Sequence, residues 1–258
     1  MARPPRRAGG TVPLERALSK LGMASRKKAR AAIAEGRVQV RGETVRDPFF
    51  AAVPERDDLR LDGRAATSVR RIVIACHKPR GVVVTRDDSE GRPTIFEALA
   101  DLPPGLVAVG RLDLATSGLL LLTNDTQLAD RLTDPSNAVP RVYLVTVGGR
   151  VEDDARARLL AGIEDRGETL RAAAVEVRKV SGRESHLVIE LRQGKNREVR
   201  RLCAAIGHEV TRLRRVSFAG IELGALAPGQ WRVVGEDELR AWSTPARGAR
   251  RPSRARPG

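Results

Sequence analysis

Between Val109 and Thr123 the chain sets one Asp, one Arg, a Thr and a Ser among glycines: Val109-Gly110-Arg111-Leu112-Asp113-Leu114-Ala115-Thr116-Ser117-Gly118, followed by LLLLTND. An apolar run, LVAV, enters this loop and a second, LLLLT, leaves it, as two strands flanking a short polar turn would. The glycines permit tight backbone turns, and a polar loop on a rigid scaffold is where chemistry is commonly placed. Asp113 offers a carboxylate nucleophile, and a cation beside it would favour the ionised form that a nucleophile needs. Cations are plentiful downstream: residues 191–215 carry eight Arg or Lys and two Glu, a stretch that would repel itself unless it faced a polyanion. Taken alone, an Asp in a glycine-bounded loop is more often a turn residue than a catalyst. Tyr143, the only Tyr, fits either a core position with a partner for its hydroxyl or a stacking position against a base.

Other reactive residue types form weaker patterns. Cys76 and His77 are adjacent, and neighbours on a strand face opposite ways, so they make a poor nucleophile–base pair. His186 and His208 stand alone and read as structural or surface residues, and Trp231 and Trp242 read as packing residues. Cys76 and Cys203 have neither metal-ligand spacing nor a disulfide framework, which fits a reducing cytoplasm. No Walker or dinucleotide-binding glycine pattern occurs.

The charge balance narrows the partners. Forty-seven Lys and Arg against 32 Asp and Glu leave a net charge of +15, and all but six of those cations are Arg. Such a field calls for a polyanion, and nucleic acid is the first candidate because Arg neutralises phosphate bidentately. An anionic membrane is the competing partner, but no stretch approaches the ~20 apolar residues of a spanning helix. The N-terminal MARPPRRAGG lacks the apolar core of a secretory signal. With 3% aromatic residues, base recognition cannot rest on a broad stacking platform.

The elements that must position these groups fall into two units. Residues 1–11 read as a basic disordered tail and 12–62 as a small folded unit. Residues 63–69 (GRAATSV) read as a linker, 70–242 as the large unit, and 243–258 as an Arg-rich disordered tail. In the small unit Leu14, Ala17, Leu18 and Leu21 recur at helical spacing before Gly22. Ser25 caps a second helix that ends at Gly36, and Val38, Val40 and Val45 form strands around a turn at Gly42. Arg26, Lys27, Lys28 and Arg30 crowd the start of that second helix, against its dipole, a conflict that a docked phosphate would relieve. The large unit predicts strands at 72–76, 82–85, 119–123, 142–147, 171–180, 186–192, 210–217 and 231–234. Its predicted helices are 94–100, 126–133, 151–160, 196–206 and 236–242. Strands and helices do not alternate one for one, so an α+β fold with a mixed, mainly antiparallel sheet is expected.

Two resemblances weigh on these readings. LERALSKLGMASRKKARAAIAEGRVQVRGETVRDP, with the later DDLRLDG, resembles the ribosomal-protein-S-four-like RNA-binding domain; Lys27 stands where that pattern has Arg, and Arg41 where it has Asn. Ser25, Arg26, Lys27, Arg30 and Arg37 are the RNA contacts it implies. GRLDLATSGLLLLTND resembles, at every fixed position, the catalytic signature of the RsuA/RluB-type ribosomal RNA pseudouridine synthases. Lys78-Pro79-Arg80-Gly81 resembles their K-P-x-G loop. Arg141-Val142-Tyr143 resembles their K-x-Y element, with Arg for Lys, and Gly194–Leu202 their G-x-N-R-x-V-R-R-M element, with Leu for Met.

The resemblance implies Asp113 as nucleophile, Arg200 as its partner, and Tyr143 packed on the target base. It places Arg111, Lys195, Asn196 and Arg197 around the flipped nucleotide, in a central cleft of the mixed sheet. It further implies a cytoplasmic bacterial enzyme that turns a uridine of ribosomal RNA, in the 23S rather than the 16S molecule, into pseudouridine. It would work as a monomer and without a cofactor on free RNA or an assembling ribosomal subunit. A non-catalytic RNA-binding or assembly factor of the same fold is the alternative, and the intact Asp113, Tyr143 and Arg200 count against it.

Overall fold

In a computed structural model the chain is described at residues 11–54, 56–65 and 71–243. The two expected tails fall almost wholly outside these residues, as does most of the expected linker.

The small unit forms because two short amphipathic helices bury one face each against a minimal sheet. Strand β1 (Val12–Pro13) runs directly into helix α1 (Leu14–Lys20). No side chain caps α1; its first N–H groups instead donate to Phe50 O (2.8 Å) and Pro48 O (3.2 Å). Helix α2 (Arg26–Ala34) is capped as expected, with Ser25 Oγ accepting from Lys28 N at 3.4 Å. Leu14, Ala17, Leu18, Ala29, Ala32 and Ile33 close over Val38, Val40, Ala52 and Leu59 as a separate core.

Strands β2 (Val38–Val40) and β3 (Glu43–Thr44) are joined at Arg41 (φ 54°) and Gly42 (φ 87°). A two-residue hairpin with both positions left-handed follows the twist of its strands. Arg41 tolerates that conformation because its guanidinium is held by Asp57 (2.6 Å) and its N–H by Asp58 O (2.8 Å). Strand β4 (Ala51–Ala52) pairs with β1, and β5 (Leu59–Leu61) with β2. Strand β6 (Arg64–Ala65) pairs with β5, so the expected linker starts too early: Gly63 turns the chain back (φ 74°) and extends the small sheet.

The large unit follows as β7 (Val73–Lys78), α3 (Ile95–Ala98), β8 (Val107–Val109), β9 (Ser117–Thr123) and α4 (Thr126–Thr133). Then come β10 (Arg141–Gly148), α5 (Asp153–Ala161), β11 (Ile163–Asp165), β12 (Glu168–Leu170), β13 (Ala174–Val180) and β14 (Glu184–Leu191). Helix α6 (Glu198–Ala205), β15 (Val210–Phe218), β16 (Ile221–Glu222), β17 (Trp231–Val233) and α7 (Glu236–Ser243) complete it. The main sheet runs β13-β14-β10-β15-β9-β7-β17, with β8 added to β9 and β16 to β15. Every pair is antiparallel except β15 with β9, so the sheet is mixed and mainly antiparallel.

Two expected strands are corrected. Segment 82–85 makes only a single bridge, Val83 to Thr94, because Val83 bonds Pro93 and Ile95 and closes a loop onto α3 rather than joining the sheet. The strand expected from 171 begins at 174, since Arg166 (φ 54°) and Gly167 (φ 75°) fold the preceding residues into a separate β11–β12 hairpin.

Period-two burial splits the core. Ile74, Cys76, Leu120 and Leu122 face one cluster with Val145, Ile189 and Leu213; Val73, Ala75, Leu119 and Leu121 face another, under Leu128 and Leu132 of α4. Among the described residues no helix is long and apolar enough to cross a membrane.

Candidate active site

The loop between β8 and β9 is held from three sides. Leu112 is buried beneath it, and Thr116 N donates to Asp113 O (3.0 Å), closing a turn that carries the Asp113 side chain outward. From the end of β7, Lys78 Nζ donates to Thr116 O and to Pro79 O, both at 2.9 Å, and Gly81 N donates to Leu114 O at 2.9 Å. From α6, Arg200 Nη2 donates to Ala115 O at 3.4 Å. Where the loop enters β9, Gly118 pairs with Arg215 in the one parallel contact of the sheet. A Cβ there would lie 2.2 Å from Arg215 O, and φ is +107°, so the position demands glycine.

Asp113 opens into a cleft of about 670 Å³, within the range of small-molecule sites. Arg111, Asp113, Tyr143, Lys195, Asn196, Arg197 and Arg200 all line it, so the expected site residues of the large unit come together in one cavity. Their geometry corrects one expected pairing. The guanidinium against the Asp113 carboxylate belongs to Arg197, with Nη1 3.7 Å from Oδ2, and not to Arg200. Arg200 is held instead by Val210 O (3.0 Å) and Ala115 O, near enough to feel the Asp113 charge while bracing the loop. The reason is position along α6. Arg197 is the N-cap of α6 in a left-handed conformation (φ 49°), which sends its side chain toward the loop, while Arg200 lies one turn further along.

Two more expectations shift. Lys195 borders the cleft, but its ammonium donates to Thr169 O at 2.8 Å. Tyr143 is only 9% exposed and belongs to the core, yet it also lines the cleft. Neither proposed role of Tyr143 displaces the other.

Sequence reasoning did not anticipate the burial of Lys78 under the loop or of Arg141, Glu198 and Arg215 in the cleft wall. Lys78 is fully buried; burial depresses its ammonium to about 8, against the opposing pull of Asp113. Arg141 is buried, bonded to Val139 O (2.9 Å) and Leu132 O (3.2 Å), and lies over Phe218 at 5.0 Å. Arg215 is buried, bonds Leu119 O at 2.7 Å, and lies over the same ring at 4.6 Å. Glu198 is buried and accepts from Lys195 N at 2.9 Å; burial raises its carboxyl above the usual range. Thr116 Oγ1, Glu198 Oε1, Arg200 Nε and Arg215 Nη2 are buried without a protein partner, and all four residues line the cleft. Strand alternation along β15 could have flagged Arg215 beside Leu213 on the inner face; nothing local marks Arg141 as buried. Burial pushes the Cys76 thiol up to about 12, which leaves it an unreactive core residue.

In the small unit, Arg26 and Lys27 are exposed on α2. Arg30 is instead paired with Glu15, and Arg37 with Asp62 (2.6 Å) and Glu35 (2.9 Å). Those two expected RNA contacts are committed to carboxylates inside the unit.

Comparison with known proteins gives concordant results. The RNA pseudouridylate synthase family model matches residues 72–205, and the S4 domain model matches residues 12–51. An RNA pseudouridine synthase of Aquifex aeolicus is 38% identical over 88% of this chain and 92% of its own length. The ribosomal large subunit pseudouridine synthase B of Pseudomonas aeruginosa is 41% identical over 88% of this chain, which spans 60% of that relative. Its Bacillus subtilis namesake is 32% identical over 88% of this chain and 93% of its own. A crystal structure of a pseudouridylate synthase superposes with a TM-score of 0.60 at 28% identity, covering 89% of this chain and 98% of that one.

Proposed function

The chain belongs to the RNA pseudouridine synthase family, whose members are isomerases, and we propose that it converts one uridine of large-subunit ribosomal RNA into pseudouridine. The observation that carries the chemistry is Asp113 at the cleft, 3.7 Å from Arg197, on a loop braced by Lys78 and Arg200. The reaction breaks the bond from the sugar to uracil N1 and makes one to C5. In the balance N1 gains a proton and C5 loses one, so no redox partner or metal is called for.

A base stacked in a helix cannot reach Asp113, so the nucleotide is flipped into the cleft. Exposed Arg111 and Arg197 hold its phosphates, and Tyr143 lies against the uracil. A covalent adduct and a glycal-type route both need a carboxylate beside the flipped nucleoside, and Asp113 supplies it with the Arg197 guanidinium 3.7 Å away.

The large-subunit assignment rests on the relatives from Pseudomonas and Bacillus, whose names carry that substrate. The RNA partner is then ribosomal RNA or an assembling subunit in the cytoplasm, engaged by a monomer, with Ser25, Arg26 and Lys27 of the small unit adding affinity. Pseudouridine mapping of ribosomal RNA from cells lacking this protein tests the reading. Loss of a single site in the 23S molecule is expected; loss from the 16S molecule, or no loss at all, would overturn it.

A further inference from the structure

The sheet has a second face, and α4 and α7 cover the part over β7, β8, β9 and the C-terminal end of β15. Along β15, Leu213 and Arg215 turn inward, so Arg212 and Arg214 turn to the opposite side. There a groove of about 460 Å³ runs across β15, β10 and β14, lined by Arg80, Arg178, His186, Arg212 and Arg214. Register sets Leu144 beside Arg214, and Thr146 between Arg212 and His186, so the floor is small and partly apolar while the rim is basic.

The charges of this rim are unequal in their commitments. Arg178 pairs with Glu176 (3.3 Å) and His186 with Glu184 (3.0 Å), which uses the nearby carboxylates. Arg80, Arg212 and Arg214 are exposed, and their side chains make no hydrogen bond or ion pair among the described residues. Two like charges two residues apart on one strand face repel each other, and an anion would relieve them. The groove also begins directly behind the Asp113 loop: Ser117 lines it, and Arg80 belongs to the turn whose Gly81 bonds Leu114.

We propose that this groove binds the sugar–phosphate backbone of the RNA that flanks the target uridine, as an anion track separate from the cleft. The proposal rests on the RNA-modifying reading above. The chain's own C-terminal segment is a poor occupant, since residues 244–258 hold five Arg and no acid. Guanidinium groups without carboxylate partners suit phosphate, and the half-buried Leu144 suits the faces of sugar or base.

The test compares the full chain with R212Q/R214Q, which removes charge and keeps side-chain length. R166Q/R183Q, two exposed arginines in hairpin turns that line neither cavity, controls for net charge. Affinity for a hairpin fragment of large-subunit ribosomal RNA is measured at two salt concentrations, alongside the single-turnover rate at saturating enzyme and the thermal midpoint. R212Q/R214Q is expected to bind about tenfold or more weakly, with the salt slope reduced by about two. Its limiting rate should stay within about twofold of the parent and its midpoint should not fall. Affinity and salt slope equal to those of R166Q/R183Q would overturn the proposal and leave the groove to an acidic protein segment. Because binding is read apart from turnover, a parent enzyme that binds the RNA without modifying any uridine would sink the assigned reaction and not the groove.

Discussion

The small unit and the cleft are built from the same abundant arginine, and they use it in opposite ways. In the small unit Arg30, Arg37, Arg41 and Arg60 are each matched to a carboxylate: Glu15, Asp62, Asp57 and Asp58. Around the cleft, Arg141, Arg200 and Arg215 of the wall and Lys78 beneath the Asp113 loop are bonded to backbone carbonyls; the wall's carboxylates are Asp87, Asp88, Asp113 and Glu198, of which Asp88 is paired with Arg92. Carboxylate-paired arginine ties a small domain together at little cost in burial. Carbonyl-bound cations under a cleft leave a positive field unneutralised, and that field suits a phosphodiester substrate. Composition alone would count both sets as RNA-binding; position separates them.

The sharpest way to break this contrast is at the carboxylate. Asp113→Asn is expected to lower pseudouridine formation by on the order of 10⁴-fold or more while RNA affinity changes little, because binding is spread over many cations. Tritium release from RNA labelled at uracil C5 reads the chemistry. Near-normal release by the variant would remove Asp113 from the mechanism.

Gly118→Ala comes next. The added methyl meets the Arg215 backbone at 2.2 Å, and the backbone has φ of +107°, so neither side can give cheaply. A loss of about 3 kcal/mol or more in stability is expected, with the rate falling alongside. Denaturant unfolding of the variant measures it, and a midpoint equal to the parent's would show that the β9–β15 contact is not as tight as described.

Lys78 tests the buried support of the Asp113 loop through pH. Its ammonium titrates at about 8 in the fold and at 10.5 when unperturbed, so between those values the unfolded chain binds more protons and stability rises with pH. Against Lys78→Met, the parent should gain up to about 3 kcal/mol across that window. Parallel stability–pH curves for the two proteins would show that the ammonium is not depressed.

Arg197 and Arg200 separate contact from support. Arg197→Ala should lower the single-turnover rate by about 10- to 100-fold with little change in stability, because its side chain is half exposed and meets Asp113. Arg200→Ala should lower both rate and stability, because it braces Ala115 and Val210. Equal stability losses for the two would erase the distinction.

The smallest effect is expected at Arg30→Ala. It strands the nearly buried Glu15, whose carboxyl the Arg30 hydrogen bond holds below its ordinary range. The thermal midpoint of the small unit should drop modestly, and the drop should shrink as acid protonates Glu15 in the variant. RNA affinity falling as far as in Arg26→Ala would place Arg30 among the RNA contacts after all.

Much of this was legible in the chain. Apolar runs at LVAV and LLLLT, the cap at Ser25 and the glycines around Asp113 are local signals, and local signals set strands, helix starts and turns. The sixteen-residue signature and the basic 191–215 stretch named the cleft's contents. Tertiary structure alone decided which cation meets Asp113, because Arg197 and Arg200 differ only by one helical turn and by the left-handed backbone that starts α6. It also decided that Lys78, Arg141 and Arg215 are buried while Arg212 and Arg214 are not. A basic residue carries the same charge in either setting, and its partner is set by strands and loops far apart in the sequence, 96 residues in the case of Arg215 and Leu119.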